Sequence, residues 1–348
     1  MSGTGPRAAW SIIPPILLLL VVVTAALMLG SVPLAPGEIV RALGTAFTGE
    51  VPSDPRLALA RVILLQVRLP RVLVATGAGA ALSLAGLLMQ TVFRNPLAGP
   101  GVLGVSAGAG LGVALVVLAG VGARLSAPTL VAATIGAGAV ILLMMIVHRA
   151  VGRPVVVLVL GLLFGYAAGA VTAVLMAAGP AEGLEQYVIW SFGSFALPPG
   201  QGQAILISAV LLAAIPLTVS GSRLDSLLLG PAYAESLGIH ARRLQGTLLL
   251  TAGILTGAVT AFTGPISFIG VAVPHLARGF LRTSRHRYLI PAVVIAGAGL
   301  AVLADLLARL PGSDRVLPLN AVLAIVGVPV VLMVILRPSA GGESGVEL

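Results

Sequence analysis

Apolar residues run in blocks about as long as a bilayer is thick, and polar residues are confined to short gaps between them. A helix needs about 20 mostly apolar residues to cross a hydrocarbon core. Blocks of that kind predict spans near 12–30, 70–90, 101–121, 129–148, 155–178, 203–220, 244–262, 265–278, 289–308 and 318–336. The eighth, between Pro265 and Arg278, is short for a crossing and reads as tilted, re-entrant or buried among its neighbours. The expected fold class is all-α: a polytopic membrane protein of about ten transmembrane helices, one domain over residues 1–348. The first block is longer than the apolar region of a signal peptide, and only Arg7 precedes it. Despite the cleavage-like Val32-Pro33-Leu34-Ala35, it reads as a retained anchor.

Between the first two spans, Ile39, Leu43 and Phe47 recur at four-residue spacing, with Glu38 and Arg41 off that stripe. A short helix lying on the outer membrane surface fits the pattern. The tail from Ser339 to Leu348 is Gly-rich and acidic and is expected to be a disordered end.

Composition narrows the class. The chain is 58% hydrophobic and 9% charged, where a soluble domain carries about a quarter charged residues. All 20 basic residues are arginine. Without lysine there is no Walker A loop and no Schiff-base chemistry, so the chain does not hydrolyse ATP itself. Without cysteine there is no disulfide and no thiolate metal site. The formal charge of +9 is spread between apolar spans, which points to a membrane and not to nucleic acid. An even number of spans puts both termini on one side. Arg278, Arg282, Arg285 and Arg287 in one short loop place that side in the cytoplasm.

The 44 glycines are patterned. Gly104, Gly108 and Gly112, and again Gly161, Gly165 and Gly169, repeat every fourth residue, a spacing that lets helix backbones approach closely. Tight packing accounts for most of them, and the fifth span could also line a pathway with a small-residue wall. Spans two to five and seven to ten read as related halves. In one, a glycine-containing helix runs into Asn95-Pro96-Leu97-Ala98-Gly99-Pro100; in the other, into Gly264-Pro265-Ile266-Ser267. Span two runs inward and span seven outward, so the halves form an inverted repeat, as in many transport folds.

Polar groups inside the spans are few. Asp305 has Arg309 one turn away, which reads as a local ion pair. His275 after Pro274 reads as helix-end packing, since no second ligand sits at metal-site spacing. Gln90 and Asn95 are expected to satisfy backbone groups freed by Pro96. A proton- or sodium-coupled carrier needs buried carboxylates or polar coordination, and an intramembrane enzyme would have to rely on His275 and Asp305. The scarcity of such groups disfavours both. The longest inward loop, 223–243, holds a short amphipathic stretch from Ala232 to Leu237 closed by Gly238. Such a knob could dock on a partner or lie on lipid headgroups, and Glu235 with the helix-stop glycine favours a protein partner.

Read together, several segments resemble the permeases of type II ABC importers, which take up iron-siderophores, haem and cobalamin. They are Arg68-Leu69-Pro70-Arg71, Gly86-Leu87-Leu88-Met89-Gln90, the Asn95–Pro100 segment, Leu103-Gly104-Val105-Ser106, Ser236-Leu237-Gly238, Gly264-Pro265-Ile266-Ser267-Phe268-Ile269-Gly270, Pro274-His275-Leu276-Ala277-Arg278 and Ala304-Asp305. They run in family order over nearly the whole chain. The resemblance implies a permease in the cytoplasmic (inner) membrane, carrying an iron-siderophore-type chelate by alternating access, with haem or cobalamin as the alternative cargo. It also implies a second permease subunit, commonly giving a homodimer. Two cytoplasmic ATPases holding the ATP and Mg, and a periplasmic or lipid-anchored binding protein, complete the assembly; this chain itself binds no cofactor. By the same resemblance Ala232, Ala234, Glu235, Ser236, Leu237 and Gly238 couple to the ATPase, and Arg68, Arg71 and Arg309 pair with acids of the binding protein. Pro154, Val155 and Val156 would sit at an inner gate on the fifth span, where some relatives carry hydroxyls. The family's usual Pro-x-Gly before the last span is Pro318-Leu319-Asn320 here, and asparagine best tolerates the left-handed backbone that a glycine there would supply.

Overall fold

The computed structural model describes residues 12–49, 52–121, 128–200, 202–309 and 316–335. Arg7, Arg124, Arg315, Arg337, the Ser339–Leu348 tail and the Phe47 side chain lie outside the described residues. All described elements are helices. In chain order they are α1 (Ile13–Met28), α2 (Pro36–Thr48), α3 (Pro55–Val62), α4 (Leu69–Phe93), α5 (Val105–Val117), α6 (Pro128–Val151), α7 (Pro154–Ala178) and α8 (Ala181–Ser191). There follow α9 (Gln203–Val219), α10 (Gly221–Leu228), α11 (Pro231–Ser236), α12 (Ala241–Thr263), α13 (Ile269–Leu281), α14 (His286–Ala308) and α15 (Leu319–Ile335). Five helices are long and apolar enough to span a bilayer, counting Pro55–Phe93 as one. The α9–α10 pair, bent by 74°, and the shorter apolar helices α1, α5, α13 and Leu319–Pro329 bring the described segments to ten, as expected.

Span two begins well before residue 70. Asp54 caps it by accepting a 3.0 Å bond from the Arg56 amide, and Pro55 sits in the first turn. The helix then passes through a π-helical stretch, Ile63–Arg68, before α4. Pro70 has no N–H to offer the preceding turn, and the wider turn accommodates it without ending the helix. The surface helix α2 also differs from expectation. Its apolar stripe meets protein: Ala42, with Ile39 and Leu43, packs on Leu34, Ala60 and Leu64. Glu38 closes its N-terminus by accepting from the Ala35 amide (2.8 Å) and pairs with Arg56 (2.6 Å). The Ala35 hydrogen bond first, then the Arg56 charge, holds the Glu38 carboxyl below the ordinary carboxylate range.

The core is built on α4, which is buried along almost its whole length. Its pairing with α14 runs as an antiparallel ladder. Arg71 meets Asp305, Gly79 meets Gly297, Ser83 donates to the Val293 carbonyl (2.7 Å), and Thr91 meets His286. A second ladder joins α12 to α6: a Cβ on Gly246, Gly253 or Gly257 would lie 3.2, 3.0 or 3.2 Å from His148, Ile141 or Ala137. Each half thus lays its first long helix antiparallel to the third helix of the other half, the arrangement an inverted repeat produces.

Candidate functional site

The two Gly/Pro interruptions meet inside the bundle. In the first half α4 ends at Arg94 (φ 47°), Asn95 Oδ1 accepts from the Leu97 amide (2.9 Å), and a 3₁₀ turn at Pro100–Leu103 leads through Gly104 (φ 73°) into α5. In the second, Gly264 (φ 74°) and Phe268 (φ 67°) bracket the entry to α13. Gly270 lies against Pro100 and against the backbone of α4 at Gly86. Pro274 cannot donate to the Gly270 carbonyl, and that carbonyl packs directly on Gly86, where any side chain would overlap it. Asn95 thus serves the Leu97 amide just beyond Pro96, and Gln90 does not serve Pro96. Its amide lies 3.5 Å from the Val271 carbonyl and its oxygen accepts from Arg278, tying α4 to α13. His275 keeps to its own helix, with Nδ1 3.0 Å from the Val271 carbonyl, and the described residues hold no metal-binding cluster.

Asn320 requires a correction. It sits in the first turn of α15 and is absent from the residues with left-handed backbone. Its side chain instead donates to the Pro265 carbonyl (2.7 Å) and the Ser191 carbonyl (3.3 Å) and accepts from the Ser267 amide (3.1 Å). A glycine could make none of these bonds, so asparagine here pins α15 and the end of α8 to the second interruption.

At one end of the bundle α9 turns sharply into α10, and α11 stands beyond it as the expected knob. Gly230 (φ 115°) breaks the chain and Pro231 starts the helix. Gly238 (φ 77°) ends it, with the Gly238 amide donating to Glu235 (2.9 Å) and the Ile239 amide to Ala234 (3.0 Å). This paired 5→2 and 6→1 pattern is a Schellman motif, and its left-handed residue needs glycine. Of the residues read as coupling contacts, Ala232, Glu235, Ser236, Leu237 and Gly238 are exposed, whereas Ala234 is fully buried and anchors the helix. Tyr233 and Leu237 are exposed apolar side chains four residues apart on the knob, and Leu229 is exposed just before the Gly230 break. Beneath the knob, Asp225 on α10 accepts from the His286 amide (2.9 Å), and His286 joins Asp225 and Thr91 through its two ring nitrogens at 2.7 Å each. Sequence reading missed this link, since its three members lie on α4, α10 and α14; the one available signal was a histidine opening a span.

At the opposite end, Asp305 is held by two arginines. Arg71 Nε lies 2.9 and 3.0 Å from its two oxygens, and Arg309 Nη2 lies 3.2 Å from Oδ2. The local Asp305–Arg309 pair expected from spacing is therefore half of a clasp whose other arm comes from α4. Arg68 is only 4% exposed and donates to the Leu27 and Val32 carbonyls. All three arginines line an open cavity of about 400 Å³ with Gly30, Ser31 and Val316.

The fifth span, α7, starts at Pro154 after Gly152 (φ 70°). Val155 is exposed and Val156 half-buried. Gly161 packs on the Val102–Leu103 backbone, Gly165 makes only an ordinary approach to Ala107, and nothing stands near Gly169. By contrast Gly108 and Gly112 both pack on the α6 backbone. The second glycine stripe therefore diverges from the fold along its length. A cavity of about 400 Å³ opens beside it, lined by Ser106, Gly169, Thr172, Met176, Tyr187 and Trp190.

Comparison with known proteins agrees with this geometry. A model described as the FecCD transport family matches residues 18–337. The chain is 36% identical over 287 residues to a hemin transport system permease protein of Yersinia pestis, covering 79% of this chain and 83% of that one. It is also 36% identical over 287 residues to a vitamin B12 import system permease protein of Vibrio cholerae, covering 80% and 84%. Among solved structures it is similar to a metal-chelate type ABC transporter in an inward-facing conformation. That match has a TM-score of 0.81 and 26% identity, and covers 94% of this chain and 99% of that one.

Proposed function

The chain belongs to the FecCD transport family, and we propose that it is the membrane subunit of an importer for a bulky metal chelate, driven by a separate ATPase that seats on α11. The observation that carries this reading is the knob itself. It presents exposed Tyr233 and Leu237 next to Glu235, is fixed in shape by a glycine cap, and follows directly on α10, whose Asp225 is tied through His286 to the central helix α4. A push on α11 reaches α4 and α14 through that link and through Gly221, which packs on the Arg287 backbone. Among the described residues Asp305 is the one buried carboxylate, and two arginines neutralise it. That leaves no unpaired buried acid among the described residues for an ion-coupled cycle.

In this reading both termini are cytoplasmic and two permease subunits, as a homodimer, enclose the pathway along their α7 helices. A binding protein docks at the arginine end. Arg71 and Arg309 carry more positive charge than Asp305 cancels, so an acidic partner surface is favoured there, whereas Arg68 shapes the cavity wall. The cargo class spans iron-siderophores, haem and cobalamin. The cavity between α7 and α8 is lined largely by small, hydroxyl and aromatic side chains, which suits a wide, partly apolar solute.

The test is to co-purify the chain with its genomic-neighbour ATPase in lipid nanodiscs and to measure ATP hydrolysis and chelate uptake. Glu235→Arg should lower coupled uptake by roughly tenfold through charge reversal at the contact. Gly238→Pro should abolish it, because proline cannot adopt φ 77° and lacks the amide that bonds Glu235. If the intact chain retains no ATPase, the importer reading fails and an ion-coupled carrier takes its place.

A further inference from the structure

The knob end of the bundle carries a second basic feature that the transport reading leaves unused. α6 closes with His148-Arg149, and α12 opens with Ala241-Arg242-Arg243. The two helices are antiparallel, so these turns lie side by side. Between them is a cleft of about 420 Å³, with Arg149, Arg242 and Arg243 at its mouth and Met145, Thr247 and Leu250 along its wall. Among the described residues no carboxylate pairs with any of the three arginines. Glu235 borders only the neighbouring cavity on the other side of Arg242 and Arg243.

The arginines are not loosely placed. Arg242 donates to the Arg149 carbonyl, and its guanidinium packs over Gly152. His148 is buried, closes the floor of the cleft and donates from Nε2 to the Arg242 carbonyl at 3.0 Å. The charges are thus held at the adjoining ends of the two spans, and the cleft reaches past them along the exposed flank of the helix pair to Thr247, Met145 and Leu250. A groove on the flank of two spans, part apolar and ending in unpaired cations, matches the two ends of a charged lipid. A soluble anion would use the arginines and leave the apolar wall uncovered.

We propose that the α6–α12 cleft binds an anionic phospholipid, its phosphate on Arg149, Arg242 and Arg243 and an acyl chain along Met145, Thr247 and Leu250. The site depends on the family's membrane placement and not on ATPase coupling, so either reading can fail alone.

Native mass spectrometry of the detergent-purified full chain, incubated with dioleoylphosphatidylglycerol or dioleoylphosphatidylcholine, tests it. The anionic lipid should be retained roughly tenfold more than the zwitterionic one. Arg149→Gln with Arg243→Gln should remove that preference while leaving the melting temperature unchanged. Thr247→Phe, which fills the groove and keeps every arginine, should lower retention of phosphatidylglycerol. Equal retention of the two lipids, or undiminished phosphatidylglycerol binding in either variant, overturns the proposal. Displacement of the lipid by excess inorganic phosphate also overturns it, since the site would then be a simple anion site.

Discussion

Gly86→Ala should leave little protein that runs as a single folded species in detergent, and what remains should melt well below the parent. The added methyl has no room: it would overlap the Gly270 carbonyl, which is backbone and cannot rotate away as a side chain could. Alanine normally gains about 1 kcal/mol over glycine inside a helix. Overpacking a filled core costs about 1–3 kcal/mol and sometimes more, and here the clash falls between two helix backbones. The steric term therefore wins, and relieving it means separating α4 from α13 where the two interruptions meet. Gly169→Ala is the matched control. It adds the same methyl where no atom stands within 4 Å, so it should keep the propensity gain and melt at or slightly above the parent. Thermal unfolding by size-exclusion scanning reads both, and equal melting of parent and Gly86→Ala would show that α4 and α13 are not packed this closely.

The second large effect is expected at the clasp. Asp305→Ala leaves Arg71 and Arg309 facing each other with no acid between them. The carboxylate is 2% exposed and each arginine side chain 15%, so the small values typical of surface ion pairs do not apply. Removing one member of a buried pair costs about 3–5 kcal/mol, because the remaining charge is stranded. Removing two opposite charges together should cost less. Arg71→Leu combined with Asp305→Ala keeps the Arg309 charge near an open cavity and should recover much of the melting temperature lost in Asp305→Ala alone. A double-mutant cycle on unfolding would show this as strong coupling. Independent, additive effects would mean that the clasp is not closed in the folded protein.

The spans were legible because the bilayer imposes a length on apolar blocks, and the ten predicted blocks lie on ten apolar segments among the described residues, five of them long enough to span. The knob was legible for a local reason: a glycine eight residues after the Gly230 break leaves room only for a short helix, and Gly238 ends it. The second block begins at residue 70, whereas its helix starts at Pro55 and a π-helical turn carries it through Pro70. Asn320 was legible as a departure from the family pattern and not as a bonding hub, because its partners lie 53, 55 and 129 residues away. The same holds for Asp225, His286 and Thr91, and for the Arg71 arm of the clasp. Local pattern reports which side chains need a partner, and only the folded arrangement of the halves decides which partner each one meets. Helix α8 escaped for a different reason, since at 11 residues with Glu182 and Glu185 it never forms an apolar block.

The antiparallel ladders set a limit on how the protein can change shape. Where Gly79 meets Gly297 and Gly86 meets Gly270, backbone rests on backbone, so there is no rotamer to turn and no side chain to slip past its neighbour. Sliding α4 along α14 by one helical turn would put Ser83 or Ala75 in the place of Gly79 against the Gly297 carbonyl and force the axes apart. Such a joint works like a keyed shaft, passing on rotation and tilt while refusing axial creep. Any widening of a passage is then left to seams made of side chains, and α7, which loosens from its neighbours beyond Gly161 until nothing stands near Gly169, hangs on such a seam.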